Sequence, residues 1–302
     1  MRSLLFVPAD SERKLEKAAA SGADALILDL EDSVAVDRKA HARALARAYL
    51  DAARDGGDGK ATSDGNTASP ALYVRINPLD SPHWQDDLEA VTGGGPCGII
   101  LPKARSGEDV QTLAATLAPF ETAHDIGTGA ISIIVIATEV PASLLRMHSY
   151  IDASKRLEGI TWGAEDLSAE IGAARARDDQ GAYTGPFQLA RNLCLFAAHA
   201  SGAGAIDTVF VNFRDQAGLR REAEDALRDG FSAKMAIHPD QVGIINDVFT
   251  PDEAQIARAQ AIVDLFAANP GAGVIALDGA MLDRPHLKLA ERLLARAKGP
   301  AD

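Results

Sequence analysis

The stretch LEGITWGAEDL, residues 157–167, sets a short apolar strand pattern at 160–162 directly before Gly163, Glu165 and Asp166. A packed core gains nothing from two acids at the C-terminal end of a strand, since each charge taken out of water costs on the order of several kcal/mol. Something at that end favours negative charge.

The same arrangement recurs along the chain. Short β-rich runs at 4–7, 25–30, 72–76, 98–101, 131–137, 160–162, 208–212 and 234–237 alternate with helix-length segments at 12–21, 38–53, 107–120, 186–201 and 216–228. Such alternation predicts a parallel sheet with crossover helices, and eight strands predict an α/β fold of the (β/α)8 barrel type. The strand exits carry Asp29, Glu31 and Asp32, then Arg75 and Asn77, Lys103, Glu139, Glu165 and Asp166, and finally His238. In a barrel those exits form one rim, where active sites are assembled from several strands at once.

At 302 residues the chain exceeds a bare barrel of roughly 250 residues. Residues 1–250 are expected to form the catalytic barrel and 251–302 a helical lid or oligomerisation segment. In that tail Ile256, Ala259, Val263 and Phe266 make one apolar stripe and Leu287, Ala290, Leu294 and Ala297 another. Stripes on so short a segment are expected to dock on the barrel or on a second subunit. Residues 55–70, DGGDGKATSDGNTASP, have the composition of a surface loop.

A formal charge of −13 argues against nucleic-acid binding, which rests on clustered Lys and Arg. The mean hydropathy is −0.04, no apolar run approaches the ~20 residues of a membrane span, and Met1 and Arg2 lead straight into a strand; a cytoplasmic protein is expected. Cys97 and Cys194 stand far apart in apolar contexts and offer neither a disulfide framework nor a thiolate metal site.

Glu139 and Asp166 end successive strands and so become lateral neighbours in a barrel. Two carboxylates with open positions suit Mg2+, which retains waters and exchanges them for substrate oxygens. A general acid/base couple is the alternative, though the aromatics that face a sugar ring are scarce. Arg75, at the exit of an apolar strand, suits a substrate carboxylate or developing enolate, or else neutralises Asp29 or Glu31. Arg13, Lys14 and Lys17 form either a phosphate-binding entrance or a solvated helix face. Lys103 pairs with rim acids or with coenzyme A, and His238 is a site residue or a structural one.

Taken in order, SLLFVPAD, ADALILDLEDSVA, VRINP, GIILPKA, TWGAEDL, IHPDQV and DGAMLDRP resemble the citrate lyase β-subunit-like family of the HpcH/HpaI aldolase superfamily across essentially the whole chain. The resemblance implies a TIM barrel and a Mg2+-dependent carbon–carbon lyase, with Mn2+ as a substitute, acting on 3-hydroxyacyl-CoA thioesters such as malyl- or citramalyl-CoA. It implies a homotrimer or homohexamer whose tail reaches a neighbouring site. It puts the metal on Glu139 and Asp166, a catalytic arginine at Arg75, and a metal-water or substrate role on Glu31 and Asp32. Asp283 becomes a catalytic acid supplied to the neighbour, while Phe6, Lys103, Arg13, Lys14 and Lys17 fall on the substrate or coenzyme A side. Malyl-CoA thioester hydrolysis, aldol cleavage without coenzyme A, and a subunit working only within a carrier-protein complex are the alternatives. Arg105 after LPKA and Val140-Pro141-Ala142 after Glu139 depart from the common pattern and bear on acyl specificity.

Overall fold

The computed structural model describes residues 1–55 and 69–297, so most of the loop expected at 55–70 lies outside the described residues. The first half of the barrel runs β1 Ser3–Pro8, α1 Glu12–Ala19, β2 Ala25–Asp29, α2 Lys39–Asp55, β3 Ala71–Arg75, α3 Trp84–Thr92, β4 Gly98–Leu101 and α4 Gly107–Ala123. The second half runs β5 Ser132–Ile136, α5 Pro141–Leu144, β6 Leu157–Thr161, α6 Glu165–Glu170, α7 Gly185–Ser201, β7 Gly204–Asp207, α8 Gln216–Asp229, β8 Ala233–Ala236 and α9 Pro239–Phe249. Strands β1 to β8 pair in order, and β8 closes on β1 in parallel register, giving the TIM barrel.

Alternation within each strand explains the two cores. Leu4, Ile27, Tyr73, Ile100, Ile134, Ile206 and Met235 fill the barrel interior. Leu5, Leu26, Val74, Ile99, Ile133 and Ile160, one residue out of phase with them, pack beneath the helices. Continuing the inward phase by two residues past Ile27 and Tyr73 brings Asp29 and Arg75 into the mouth of the barrel. Side-chain periodicity alone therefore turns those two groups toward the site.

The expected seventh strand at 208–212 is a correction: β7 is Gly204–Asp207. Thr208, Phe210 and Val211 have strand-forming side chains, but pairing with β8 ends at Asp207↔Lys234 and the chain leaves the sheet. Pairing overrode local propensity. The shift moves Thr208 and Val209 onto the wall of the site and leaves Asp207 as a buried, outward-facing acid at the strand end.

Lys234 on β8 is fully buried, and its ammonium donates to Asp207 Oδ2 at 2.6 Å, Glu222 Oε1 at 3.0 Å and the Thr208 carbonyl at 2.8 Å. Trp162 Nε1 donates to the other Asp207 oxygen at 2.8 Å. One cation thus holds β7, β8 and α8 together.

The tail contains α10 Glu253–Ala268, the hairpin β9 Val274–Leu277 with β10 Ala280–Asp283, and α11 Arg284–Ala297. Its stripes meet one another: Ala259, Ile262, Phe266, Leu282 and Ala290 form a cluster separate from the two barrel cores. Among the described residues no helix is long and apolar enough to cross a membrane.

Removing Lys234 takes the closest cation from buried Asp207, whose next is Arg191 Nε at 3.7 Å, while Glu222 keeps Arg177 at 2.7 Å, so Lys234→Met is expected to cost about 3 kcal/mol. Urea denaturation measures it; a loss within 1 kcal/mol would contradict the ionic account of β7 and β8.

Candidate active site

Asp29 and Arg75 are register partners on β2 and β3. Arg75 Nε and Nη2 each donate to one Asp29 oxygen at 2.7 Å, a bidentate pair almost wholly buried. Burial alone pulls the Asp29 carboxyl up, but the Arg75 charge and hydrogen bonds outweigh it and hold the acid below its usual range. Arg75 Nη1 also lies 2.7 Å from Glu31 Oε2, and its guanidinium stacks 4.8 Å over the Phe6 ring. Both sequence-based alternatives for Arg75 are compatible with this geometry, because it neutralises the acids and also lines the cavity.

Lys103 extends the network across the rim. Its ammonium donates to Glu31 Oε1 and, at 2.9 Å, to Asp32 Oδ2, and lies 3.3 Å from Asp166 Oδ1. Those carboxylates raise its pKa against the opposing effect of burial. Lys103 has a left-handed backbone, φ 51°, unusual for a side chain without local hydrogen-bonding capacity. In this conformation the Lys103 N–H donates to Glu139 Oε2 at 2.6 Å while the side chain reaches the acids after β2. Strain at such a position is typical of a functional constraint.

Glu139, just past β5, is only 4% exposed. Burial, with the Asp166 charge adding to it, pushes its carboxyl up to about 8. Gly163 is what allows the approach: a Cβ there would come within 2.8 Å of Glu139 Cγ. Thr138 Oγ1 accepts from the Gly163 N–H at 2.9 Å and donates to the Gly163 carbonyl at 3.2 Å, fastening the ends of β5 and β6. Asp166 follows in the first turn of α6.

Glu139 and Asp166 share a cavity of ≈ 280 Å³ with Asp29, Arg75, Glu165 and an apolar wall that includes Phe6, Ile136, Trp162 and Met235. The donor set fits a hard divalent cation: two carboxylates, one buried and short of countercharge, in a cavity wide enough for water and substrate oxygens. Among the described residues no group of three or more His, Cys, Asp or Glu side chains forms a closed metal cage. A cation held by this pair would have two protein ligands and open positions, unlike the closed shell of a structural site.

Other candidates fall outside the cavity. Glu31 and Asp32 reach the site through Lys103 and Arg75. Arg13, Lys14 and Lys17 are exposed on α1, beyond β1, whose Pro8 lines the cavity. Asp283 ends β10 in the tail, half-exposed, with Oδ1 2.5 Å from His286 Nδ1; it does not line the cavity of its own chain. His238 caps α9, accepting from the Asp240 N–H at 3.2 Å, and stacks on Phe213 at 4.7 Å. Sequence reasoning missed Thr208 and Val209 as wall residues because it assigned them to β7; the only signal was the Gly204 start of a four-residue strand.

Fold and site together define a TIM barrel with an acid-rich centre at the C-terminal ends of its strands. The chain belongs to the HpcH/HpaI aldolase/citrate lyase family, whose model matches residues 2–239. A (3S)-malyl-CoA thioesterase of Cereibacter sphaeroides is 35% identical over 304 residues, covering 99% of this chain and 95% of that protein. A citrate lyase subunit beta of Leuconostoc mesenteroides subsp. cremoris is 32% identical over 300 residues, covering 98% and 93% respectively. Among solved structures, CitE from Mycobacterium tuberculosis in complex with magnesium, acetoacetate and coenzyme A is similar with a TM-score of 0.75, 32% identity and 98% of each chain covered.

The raised Glu139 pKa has a stability consequence. Between the ordinary value of 4.5 and about 8, the folded protein holds a proton that the unfolded chain has lost. In EDTA its contribution to stability therefore falls as pH rises through that window and levels off above it. Glu139→Gln removes this penalty, so the melting temperature of the variant is expected to exceed wild type increasingly from pH 5 to pH 8, reaching several degrees. Parallel melting curves across that range would refute the strained-carboxylate assignment.

Proposed function

We propose that the protein is a Mg2+-dependent carbon–carbon lyase that cleaves or forms a 3-hydroxyacyl-CoA thioester such as malyl- or citramalyl-CoA, yielding an acyl-CoA and a 2-oxo acid. The observation that carries the reading is the buried Glu139 beside Asp166 at the mouth of the barrel. These two residues would hold the cation. The chemistry supplied by Mg2+ there, or by Mn2+ in its place, is Lewis-acid polarisation of the substrate hydroxyl and carboxylate.

The chain's own residues then have distinct tasks. Arg75 is a fixed cation on the cavity wall, oriented by Asp29 and Glu31, and its remaining N–H groups serve the thioester enolate left when the carbon–carbon bond breaks. Glu31 and Asp32 hold Lys103 across the rim, which keeps that ammonium beside Asp166. The apolar wall of Phe6, Ile136 and Met235 excludes water from the reacting carbons. Arg13, Lys14 and Lys17 meet the phosphates of coenzyme A at the entrance.

Residues 1–250 act as the catalytic barrel and 251–302 as a lid and assembly segment in a homotrimer or homohexamer. Asp283 of a neighbouring copy gives a proton to the enolate carbon, and the proton lost from the substrate hydroxyl as the carbonyl forms balances it. The exposed tail surface supports this: Met281, two residues before Asp283, is 75% exposed on the hairpin, and Val274 and Leu289 are also exposed.

A second reading, hydrolysis of the malyl thioester at the same site, draws support from the Cereibacter thioesterase. The two are separated by products: a lyase releases an acyl-CoA and an oxo acid, a thioesterase free coenzyme A and a hydroxy acid.

Incubation of malyl-CoA and citramalyl-CoA with the protein is expected to release oxo acid only when Mg2+ or Mn2+ is present, and Asp166→Ala is expected to lose at least ~10³-fold in kcat/KM. Full turnover in EDTA, or wild-type turnover by the Asp166 variant, would defeat the metal assignment; free coenzyme A without oxo acid would select the hydrolytic reading.

A further inference from the structure

We infer that Lys39 and Asn77 are positioning residues for Glu31, clamping from behind the turn that presents this carboxylate to Arg75 and Lys103. Lys39 opens α2 and is buried, yet its ammonium meets backbone carbonyls: Leu30 O at 2.9 Å and Glu31 O at 3.3 Å. Asn77 Nδ2 donates to the same Leu30 carbonyl at 3.1 Å. Asn77 is itself fixed, because its N–H and Nδ2 donate to Asp87 Oδ2 at 2.8 and 2.6 Å, and Arg43 Nε donates to the other Asp87 oxygen at 2.7 Å.

The remaining backbone groups of the turn are occupied as well. The Leu30 N–H donates to the Arg75 carbonyl at 2.9 Å, the Glu31 N–H to Asp29 Oδ1 at 3.0 Å, and the Val34 N–H to the Glu31 carbonyl at 2.9 Å. Every polar backbone group of Leu30 and Glu31 therefore has a partner, and the Glu31 side chain leaves a backbone with little freedom to swing. A neutral donor would satisfy the carbonyls. The ammonium does more, since Asp29, Glu31 and Asp32 crowd one turn and Arg75 and Lys103 approach them from the cavity side. Lys39 supplies positive charge from the opposite side.

This inference rests on the lyase reading only in its turnover readout; hydrogen exchange tests it without substrate. Lys39→Met is expected to accelerate exchange of the Leu30, Glu31 and Val34 amides by about tenfold or more while the β5 and β6 amides keep wild-type rates. In malyl-CoA turnover, Lys39→Met is expected to lower kcat/KM by about tenfold or more, and the Lys39→Met/Glu31→Gln double variant to be no worse than Glu31→Gln alone. A purely structural lysine would instead multiply the two losses. Unchanged exchange at the turn, or multiplicative losses, overturns the inference. Should Lys39→Met fail to fold, Asn77→Ala removes one of the two side-chain donors to Leu30 O and carries both readouts. Absence of wild-type turnover would count against the lyase reading, and the exchange result would still decide the role of Lys39 and Asn77.

Discussion

The buried bidentate pair of Arg75 with Asp29 is the interaction on which the rest of the site depends. It exists because two adjacent strands place opposite charges at matching register positions on the inward phase, just above the last apolar layer. Truncating Arg75 would leave Asp29 as a buried charge without its counter-ion, and truncating Asp29 would leave Arg75 with Glu31 alone; both changes are costly at a buried site. From this pair the network spreads: Arg75 also meets Glu31, Glu31 meets Lys103, and Lys103 meets Asp32 and Asp166. The carboxylates of Asp29, Glu31, Asp32, Glu139 and Asp166 outnumber the cations Arg75 and Lys103. The deficit shows at Glu139, which is buried and, among the described residues, has no direct ion pair, and its raised pKa expresses it.

Stability and function pull in opposite directions at this rim. Lys103 holds a left-handed backbone and Glu139 a carboxyl whose ionisation is disfavoured, while Gly163 gives up a side chain so that Glu139 can approach β6. These costs are borne by a barrel whose interior and outer cores are closed around all eight strands. A divalent cation between Glu139 and Asp166 would reverse the sign of the largest of them, coupling metal binding to the stability of the folded protein.

Much of this was legible in the residues. Alternation of apolar runs with helical segments gave the barrel order, and the acids after 25–30 and 160–162, with Arg75 between them, marked the rim. What sequence could not show was which carboxylate would be short of countercharge, because that depends on how Lys103 divides its donors among acids from β2 and β6. Lys103 itself carried no turn signal; a lysine is an ordinary residue until its φ is known. The seventh strand was misplaced because 208–212 has the better β-forming side chains, whereas the sheet selects residues by pairing with β8. Lys39 was inconspicuous for a similar reason: a lysine at a helix start is normally solvated, and only the fold turns it back onto Leu30 and Glu31.

The central claim, that Glu139 and Asp166 form one cation site, is tested most directly by anomalous diffraction from crystals soaked in Mn2+. The account predicts one strong peak in the barrel mouth, within coordinating distance of an oxygen of Glu139 and an oxygen of Asp166, with the rest of its shell made of water or oxo acid. A map with no peak there, or with the peak on Glu31 and Asp32 instead, would contradict it.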